Sequence, residues 1–270
     1  MVRLLTAEDI PAAMELKAAA NWNQTELDWR NVLRLAPEGC FAIDCEGRLA
    51  ATATAVCFGR ELAWIGMVLT HPDMRRRGFA RILMEHAIAY LEARRVSWIK
   101  LDATDMGRPL YAQLGFEDEC PIERWGREPA PFEGPDLPLL SDLPLELDRE
   151  AFGADREAML TLLAPIEAAR AEGGYAMGRP GSKAAYFGPC VARTPETARE
   201  LLRWFLGRHP NEMVYWDILP GNASALAMAR EFGFQPLRRL VRMARPGVPH
   251  PPPFLHNDCH VFAIAGFEYG

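Results

Sequence analysis

The chain has 270 residues, of which 49% are hydrophobic and 24% charged, a composition that supplies a core and argues against disorder. Its formal net charge of -6 and pI near 5.6 remove the electrostatic drive toward nucleic acid or an anionic membrane and suit cationic partners. Six cysteines, Cys40, Cys45, Cys57, Cys120, Cys190 and Cys259, form no C-x-x-C pair, so no zinc or redox site is expected and they read as reduced, buried thiols.

The segment from Met1 to Asp9 carries acids early, unlike a signal peptide. No apolar run approaches the roughly 20 residues that cross a bilayer, so a cytoplasmic protein is expected. Val2 to Leu5 reads as a short strand, Thr6 as an N-cap and Glu8 to Ala20 as a helix with Pro11 in its first turn. Leu27, Val32, Leu33 and Leu35 recur near helical spacing until Pro37-Glu38-Gly39 ends that helix. Three strands follow, Cys40 to Asp44, Leu49 to Phe58 and Leu62 to Leu69, separated by Glu46-Gly47 and Gly59-Arg60. Arg81 to Arg94 is an amphipathic helix and Trp98 to Ala103 a strand. A short helix opens at Pro109 and ends at Gly115, and a last strand is expected near Cys120 to Trp125.

Residues 129–146 hold Pro129, Pro131, Pro135, Pro138 and Pro144 and show no period, which is linker composition. Beyond them the chain echoes itself. Leu114-Gly115-Phe116 returns as Phe232-Gly233-Phe234, each after a strand, a loop and a short helix. The reading is of domains at 1–128 and 147–270 joined by a proline-rich linker.

The stretch Leu69-Thr70-His71-Pro72-Asp73-Met74-Arg75-Arg76-Arg77-Gly78-Phe79-Ala80 lies between an apolar strand and an amphipathic helix. A loop there presents free N–H groups at a helix N-terminus, where the macrodipole favours an anion, and three arginines add charge. It is neither the G-x-G-x-x-G fingerprint nor a P-loop. Arg75-x-x-Gly78-x-Ala80 is similar to the signature R/Q-x-x-G-x-G/A of the GNAT (GCN5-related N-acetyltransferase) superfamily, and Leu110-Tyr111-Ala112-Gln113-Leu114-Gly115-Phe116 looks like its second motif. The resemblance implies an α/β fold with a mixed sheet, here as two GNAT-like acyl-CoA N-acyltransferase domains in tandem, the second diverged.

The resemblance further implies acetyl-CoA as co-substrate, with Val68, Leu69 and Thr70 exposing main-chain groups to its pantetheine arm. Arg75, Arg76, Arg77, Gly78, Phe79 and Ala80 would then hold the pyrophosphate. Tyr111 matches the tyrosine that protonates the departing thiolate, and an N–H near Leu69 would meet the oxyanion. Thr104 stands where the family often carries Asn, and Trp64 to Gly66 lack its strand carboxylate. The general base stays open among Glu26, Asp28, Asp102, a water chain and prior deprotonation in bulk solvent. In the second half, Arg193-Thr194-Pro195-Glu196-Thr197 replaces the glycine-containing loop, Asn222 stands at the position of Thr104 and Ala229 at that of Tyr111. A non-catalytic second domain is expected.

Trp22, Asn23 and Gln24 with Trp29 line an acceptor pocket or cap the sheet. His71 reads as a turn residue. His256, Asp258, Cys259 and His260 lack zinc-like spacing and lead into a strand from Val261 to Phe267, so no metal is expected. The expected activity is transfer of an acetyl group from acetyl-CoA to a small-molecule or peptide amine by direct attack in a ternary complex. The alternative is a non-catalytic acyl-CoA-binding regulatory or scaffold protein. No nucleic-acid or membrane partner is expected, and a homodimer is left open.

Overall fold

The computed structural model describes residues 1–270. The chain forms two compact units: one of Met1–Asp118, Met243–Pro253 and Phe267–Gly270, the other of Glu119–Arg242 and Phe254–Gly266. Neither unit is contiguous in sequence, which differs from a simple division at residues 129–146. Those residues are mostly irregular, with one bridge between Leu139 and Ala169.

Elements up to the second motif follow the expected order: β1 (Val2–Leu4), α1 (Ile10–Ala19), α2 (Glu26–Leu35), β2 (Cys40–Cys45), β3 (Arg48–Phe58), β4 (Leu62–Thr70), α3 (Phe79–Ala93), β5 (Trp98–Ala103) and α4 (Arg108–Gln113). Strands β1 to β4 form an antiparallel meander. β5 joins β4 in parallel through Leu62↔Trp98, Ala63↔Ile99 and Trp64↔Lys100. A late strand, β11 (Gln235–Pro246), neighbours β5, and just beyond it the Gly247 amide donates to Ser97 O at 2.9 Å.

Alternation along β3 sorts the two faces of this sheet. Phe41, paired with Ala53, meets His86 and Tyr90 of α3 at ring-centroid distances of 4.7 and 5.4 Å. Ala53 therefore faces α3, and Thr54, with its partner Gly66 on β4, faces the other way.

The second unit contains most of β6 (Glu117–Arg127), then α5 (Leu145–Phe152), α6 (Glu157–Leu163), β7 (Ala168–Ala171), β8 (Gly174–Arg179), β9 (Ala185–Ala192), α7 (Pro195–Arg208), β10 (Val214–Ile218), α8 (Ala223–Glu231), the first part of β11, and β12 (Val261–Ala263). β7, β8 and β9 are antiparallel, β9 and β10 parallel, and β10 and β6 antiparallel. Aromatic side chains fill its core, including Phe187, Phe205, Trp216 and Phe234. Each such burial contributes about 1.5–3 kcal/mol.

Two buried ion pairs brace this core. Arg124 grips Asp217, directly opposite on β10, with Nε–Oδ1 at 2.8 Å and Nη2–Oδ2 at 2.7 Å. Arg156 holds Asp148 at 3.0 and 2.6 Å, and the Tyr175 hydroxyl donates to the same carboxylate. β12 is shorter than the strand expected from Val261 to Phe267, because Phe267–Gly270 leaves the second unit and packs within the first.

Two cysteine expectations divide. All six thiols are free, but only Cys40 and Cys190 are buried, while Cys259 is exposed on a short 3-10 turn. Burial pushes the Cys40 thiol up to about 12, so it is inert at neutral pH.

Candidate functional site

β4 parts from β5 after Trp64, the last paired residue. Its pairing with β3 also breaks, between Thr52↔Leu69 and Thr54↔Gly66, so that Met67 and Val68 oppose Ala53 alone. That is a bulge. Met67 adopts φ 48°, and the Thr52 hydroxyl pins the distorted peptide by donating to Met67 O at 2.8 Å. Val68, Leu69 and Thr70 thus lie on a strand segment that has left its parallel neighbour.

Beyond β4, His71 caps a single 3-10 turn, its Nδ1 accepting from the Asp73 amide at 3.2 Å. This is the turn role expected of it. Arg75, Arg76, Arg77 and Gly78 are exposed and lead into α3. Gly78 is the N-cap at φ 83°, a left-handed conformation that suits glycine, and it contributes no side-chain cap. The first helical bond is Ile82 N to Gly78 O. The amides of Phe79, Ala80 and Arg81 therefore point out of the helix end without intrahelical acceptors. Arg77 leans back onto Glu46 at 2.7 Å, which holds that carboxyl below its ordinary range. The loop is a positively charged cup of N–H donors, and a phosphate or pyrophosphate fits that donor set.

Tyr111 lies on α4, stacked over Gly107, where a Cβ would come within 2.8 Å of the ring. Phe116 meets it edge-on at 6.3 Å. Burial pushes its phenol up to about 12. Thr104 is occupied locally, its hydroxyl accepting from the Gly107 amide at 3.2 Å.

Among the expected acceptor residues, Trp22 is half-buried, Asn23 buried and Trp29 fully buried. Glu26 pairs with Arg30 at 2.5 Å. Asp28 closes the cap of α2, accepting from the Thr25 amide and hydroxyl at 2.6 and 2.8 Å. Both carboxylates thus have local structural duties.

One feature absent from the sequence reading is the C-terminal tail. Phe267–Gly270 crosses the face of β4 that carries Trp64 and Gly66. Trp64 Nε1 donates to Phe267 O at 3.1 Å, and Gly270 lies against the Trp64 ring. A Cβ on Gly66 would come within 2.9 Å of Glu268 Cα. Glu268 Oε2 accepts from Gln24 Nε2 at 2.8 Å. A glycine inside an apolar strand signals close approach of another backbone, but not which one.

The second unit has the same parallel pair without the same opening. β9 and β10 pair through Trp216↔Phe187 and then diverge, but β12 lies along the freed edge, with Val261↔Val191 and Ala263↔Cys190. Trp216 Nε1 donates to Phe262 O at 2.8 Å, and the Ile264 amide to Asp217 O at 3.2 Å. The strand-to-helix loop is reduced to Arg193 and Thr194, and the Thr194 hydroxyl accepts from the Thr197 amide, closing the end of α7. Asn222 secures the plug, its Nδ2 donating to Cys259 O and Val261 O, each at 3.1 Å.

Residues 6–116 match the family model of the Acetyltransferase (GNAT) family, and residues 145–254 match that of the Acetyltransferase (GNAT) domain. The ribosomal protein bS18-alanine N-acetyltransferase of Salmonella typhimurium is 29% identical over 130 residues, which cover 46% of this chain and 84% of that protein. A solved structure from Pyrococcus horikoshii is similar in fold, with a TM-score of 0.86 at 21% identity, covering 100% of this chain and 95% of its own. A tandem GNAT protein from the clavulanic acid biosynthesis pathway gives 0.64 at 17% identity, covering 93% and 99%. The chain belongs to the GNAT acetyltransferase family and is an acyltransferase with two such domains in tandem.

Proposed function

We propose that the first unit transfers an acetyl group from acetyl-CoA to a primary amine, by direct attack and without an acyl-enzyme. The observation that carries this reading is the open N-terminus of α3 behind three arginines, beside a strand that has left its parallel partner. The same two features are closed in the second unit.

When bound, acetyl-CoA supplies an activated thioester. Main-chain groups of Val68, Leu69 and Thr70 hold its arm, and the amides of Gly78, Phe79 and Ala80 with Arg75, Arg76 and Arg77 hold its phosphates. An N–H near Leu69 is fixed in advance for the developing oxyanion. Tyr111 keeps its proton at neutral pH, since burial has raised its pKa, and gives it to the leaving sulfur, whose basicity the same dry surroundings raise. Glu26 and Asp28 are engaged within α2 and its cap, which leaves Asp102, a water chain or prior loss of the proton to solvent to deliver the amine neutral. An alanine-bearing peptide is one fitting acceptor, given the activity named for the Salmonella relative. The commitment of Glu26 and Asp28 equally motivates the second reading, an acyl-CoA-binding scaffold without turnover.

Calorimetric titration with acetyl-CoA tests the proposal. One equivalent should bind, and an Arg75→Ala, Arg77→Ala double variant should weaken it by about 10-fold or more. Absence of binding, or indifference to those arginines, refutes the cradle. Binding without acetylation of any amine in a broad panel favours the scaffold.

A further inference from the structure

The face of β4 that carries Trp64 and Gly66 is the one turned away from α3. Over β2 that face is covered by α2, where Cys40 Sγ reaches Val32 O at 3.8 Å. Over β4 it is covered by Phe267–Gly270. Gly66 stands between Trp64, the last residue paired with β5, and the bulge at Met67, so the covering segment lies where the strand opens. Because α3 packs against the opposite face, the covered side is the approach left to an amine that is to meet a thioester held along Val68, Leu69 and Thr70.

The cover fits closely but is not built into the sheet. Phe267 to Tyr269 form a turn, and the segment joins no β-ladder. Trp64 Nε1 donates to Phe267 O at 3.1 Å and Gln24 Nε2 to Glu268 Oε2 at 2.8 Å, while Gly270 rests on the Trp64 ring. Glu268 is 1% exposed, and a carboxylate is costly to bury, which works against closure. Gly266 leads into the segment at φ 138°, a backbone value that glycine adopts readily. A segment that follows a glycine, carries a buried carboxylate and pairs with no strand opens without breaking the sheet.

We propose that Phe267–Gly270 is an autoinhibitory strap, which closes the acceptor side of β4 and swings away about Gly266 before an acceptor reaches the thioester. This rests on the reading of the first unit as an N-acetyltransferase. The closed chain binds acetyl-CoA without turning it over, because the Phe267 and Glu268 backbone keeps both amine and water from the carbonyl. The observed rate is then the intrinsic rate multiplied by the open fraction. In the open chain an amine nitrogen forms a bond to the acetyl carbon as the C–S bond breaks and the sulfur takes a proton. Where water attacks instead, the products are acetate, CoA and one proton released to solvent. Gly66 is the residue that permits closure. A Cβ there would stand 2.9 Å from Glu268 Cα and 3.3 Å from Glu268 O and Phe267 O; β4 is fixed by its pairing with β3, so the strap is what yields.

The test compares the wild type with Gly66→Ala and with a chain that stops at Gly266. Release of CoA from acetyl-CoA is followed by chromatography in buffer alone, and again with spermidine or a peptide beginning with alanine. Both variants should release CoA about 5-fold or more faster than the wild type in at least one of these conditions, the factor being the inverse of the wild type's open fraction. Acetyl-CoA affinity by calorimetry should change less than about 2-fold, since neither change touches the phosphate loop. A folded variant that binds acetyl-CoA yet stays within about 2-fold of the wild-type rate, or falls below it, in every condition overturns the strap and makes the segment a fixed wall of the site. If the shortened chain fails to fold, Gly66→Ala, a single added methyl, carries the comparison. Absence of acetyl-CoA binding to the wild type instead sinks the acetyltransferase reading, independently of the rates.

Discussion

Tyr111 shows how much a single environment decides. A phenol pushed up to about 12 by burial stays protonated across the whole physiological range, so an acid limb belonging to it should not depress the rate below about pH 11. Tyr111→Phe keeps the ring on Gly107 and removes only the hydroxyl. Turnover should fall by about 10²–10⁴-fold while acetyl-CoA affinity holds, as measured by steady-state kinetics beside calorimetry. A fall in rate near pH 10 with the wild type would mean the phenol is more solvated than its packing indicates. The place of Tyr111 on a short helix was legible in sequence because the signals are local, with Pro109 in the first turn and Gly115 closing it at φ 84°. The contact between Gln24 and Glu268 was not. Gln24 and Glu268 are 244 positions apart, and no periodicity reports such a contact. Gly66 alone hinted at it, a glycine in a strand otherwise filled with Trp64, Ile65 and Met67.

At the scale of elements, the contrast between the two units rests on one strand and one cap. In the first, α3 opens on uncapped amides; in the second, Thr194 closes α7 and β12 lies along the edge of β9. The second unit therefore has no free strand edge for a pantetheine arm. Calorimetry should return one equivalent of acetyl-CoA per chain, and two equivalents would contradict the plug. The shortened loop at Arg193 and Thr194 was readable because it holds one arginine and no glycine where the first unit has Arg75, Arg76, Arg77 and Gly78. The plug was not, since Val261 to Ala263 reads as a strand without naming its partner. Asn222 is the residue that couples them. Its Oδ1 accepts from the Ala225 amide at 3.1 Å while its Nδ2 serves carbonyls of the plug. Asn222→Ala loses a helix cap and strands buried carbonyls, so it should cost about 2–3 kcal/mol in denaturant unfolding.

Across the whole molecule, stability and pH are tied through polar groups that the core cannot leave unpaired. Asp217 is fully buried and gripped by Arg124; Asp217→Ala leaves a buried guanidinium without its carboxylate and should destabilise by about 3–5 kcal/mol. The glutamate and histidine at the end of α7 respond to pH instead. His209 Nε2 lies 2.8 Å from Glu167 Oε2 and its Nδ1 3.3 Å from Glu212 Oε1, with Phe205 against the ring at 4.3 Å. Burial alone would lower the imidazole pKa, but the two carboxylates outweigh it and the net shift is upward from 6.5. Burial likewise works against ionised Glu167, yet His209 and Arg208 hold its carboxyl below 4.5. A raised histidine contributes stability that is complete below its unfolded pKa and lost as pH rises through the folded one. A depressed glutamate contributes stability present above its unfolded pKa and lost as pH falls through the folded one. The pair is therefore strongest from about pH 5 to 6.5. Above that window the melting temperature should fall, by about 2–4 °C for each kcal/mol lost in a protein of this size. His209→Gln keeps a hydrogen-bonding side chain but no titration, so its melting curve should be flatter between pH 6 and 9. An equal slope in wild type and variant would place the pH dependence in some other group.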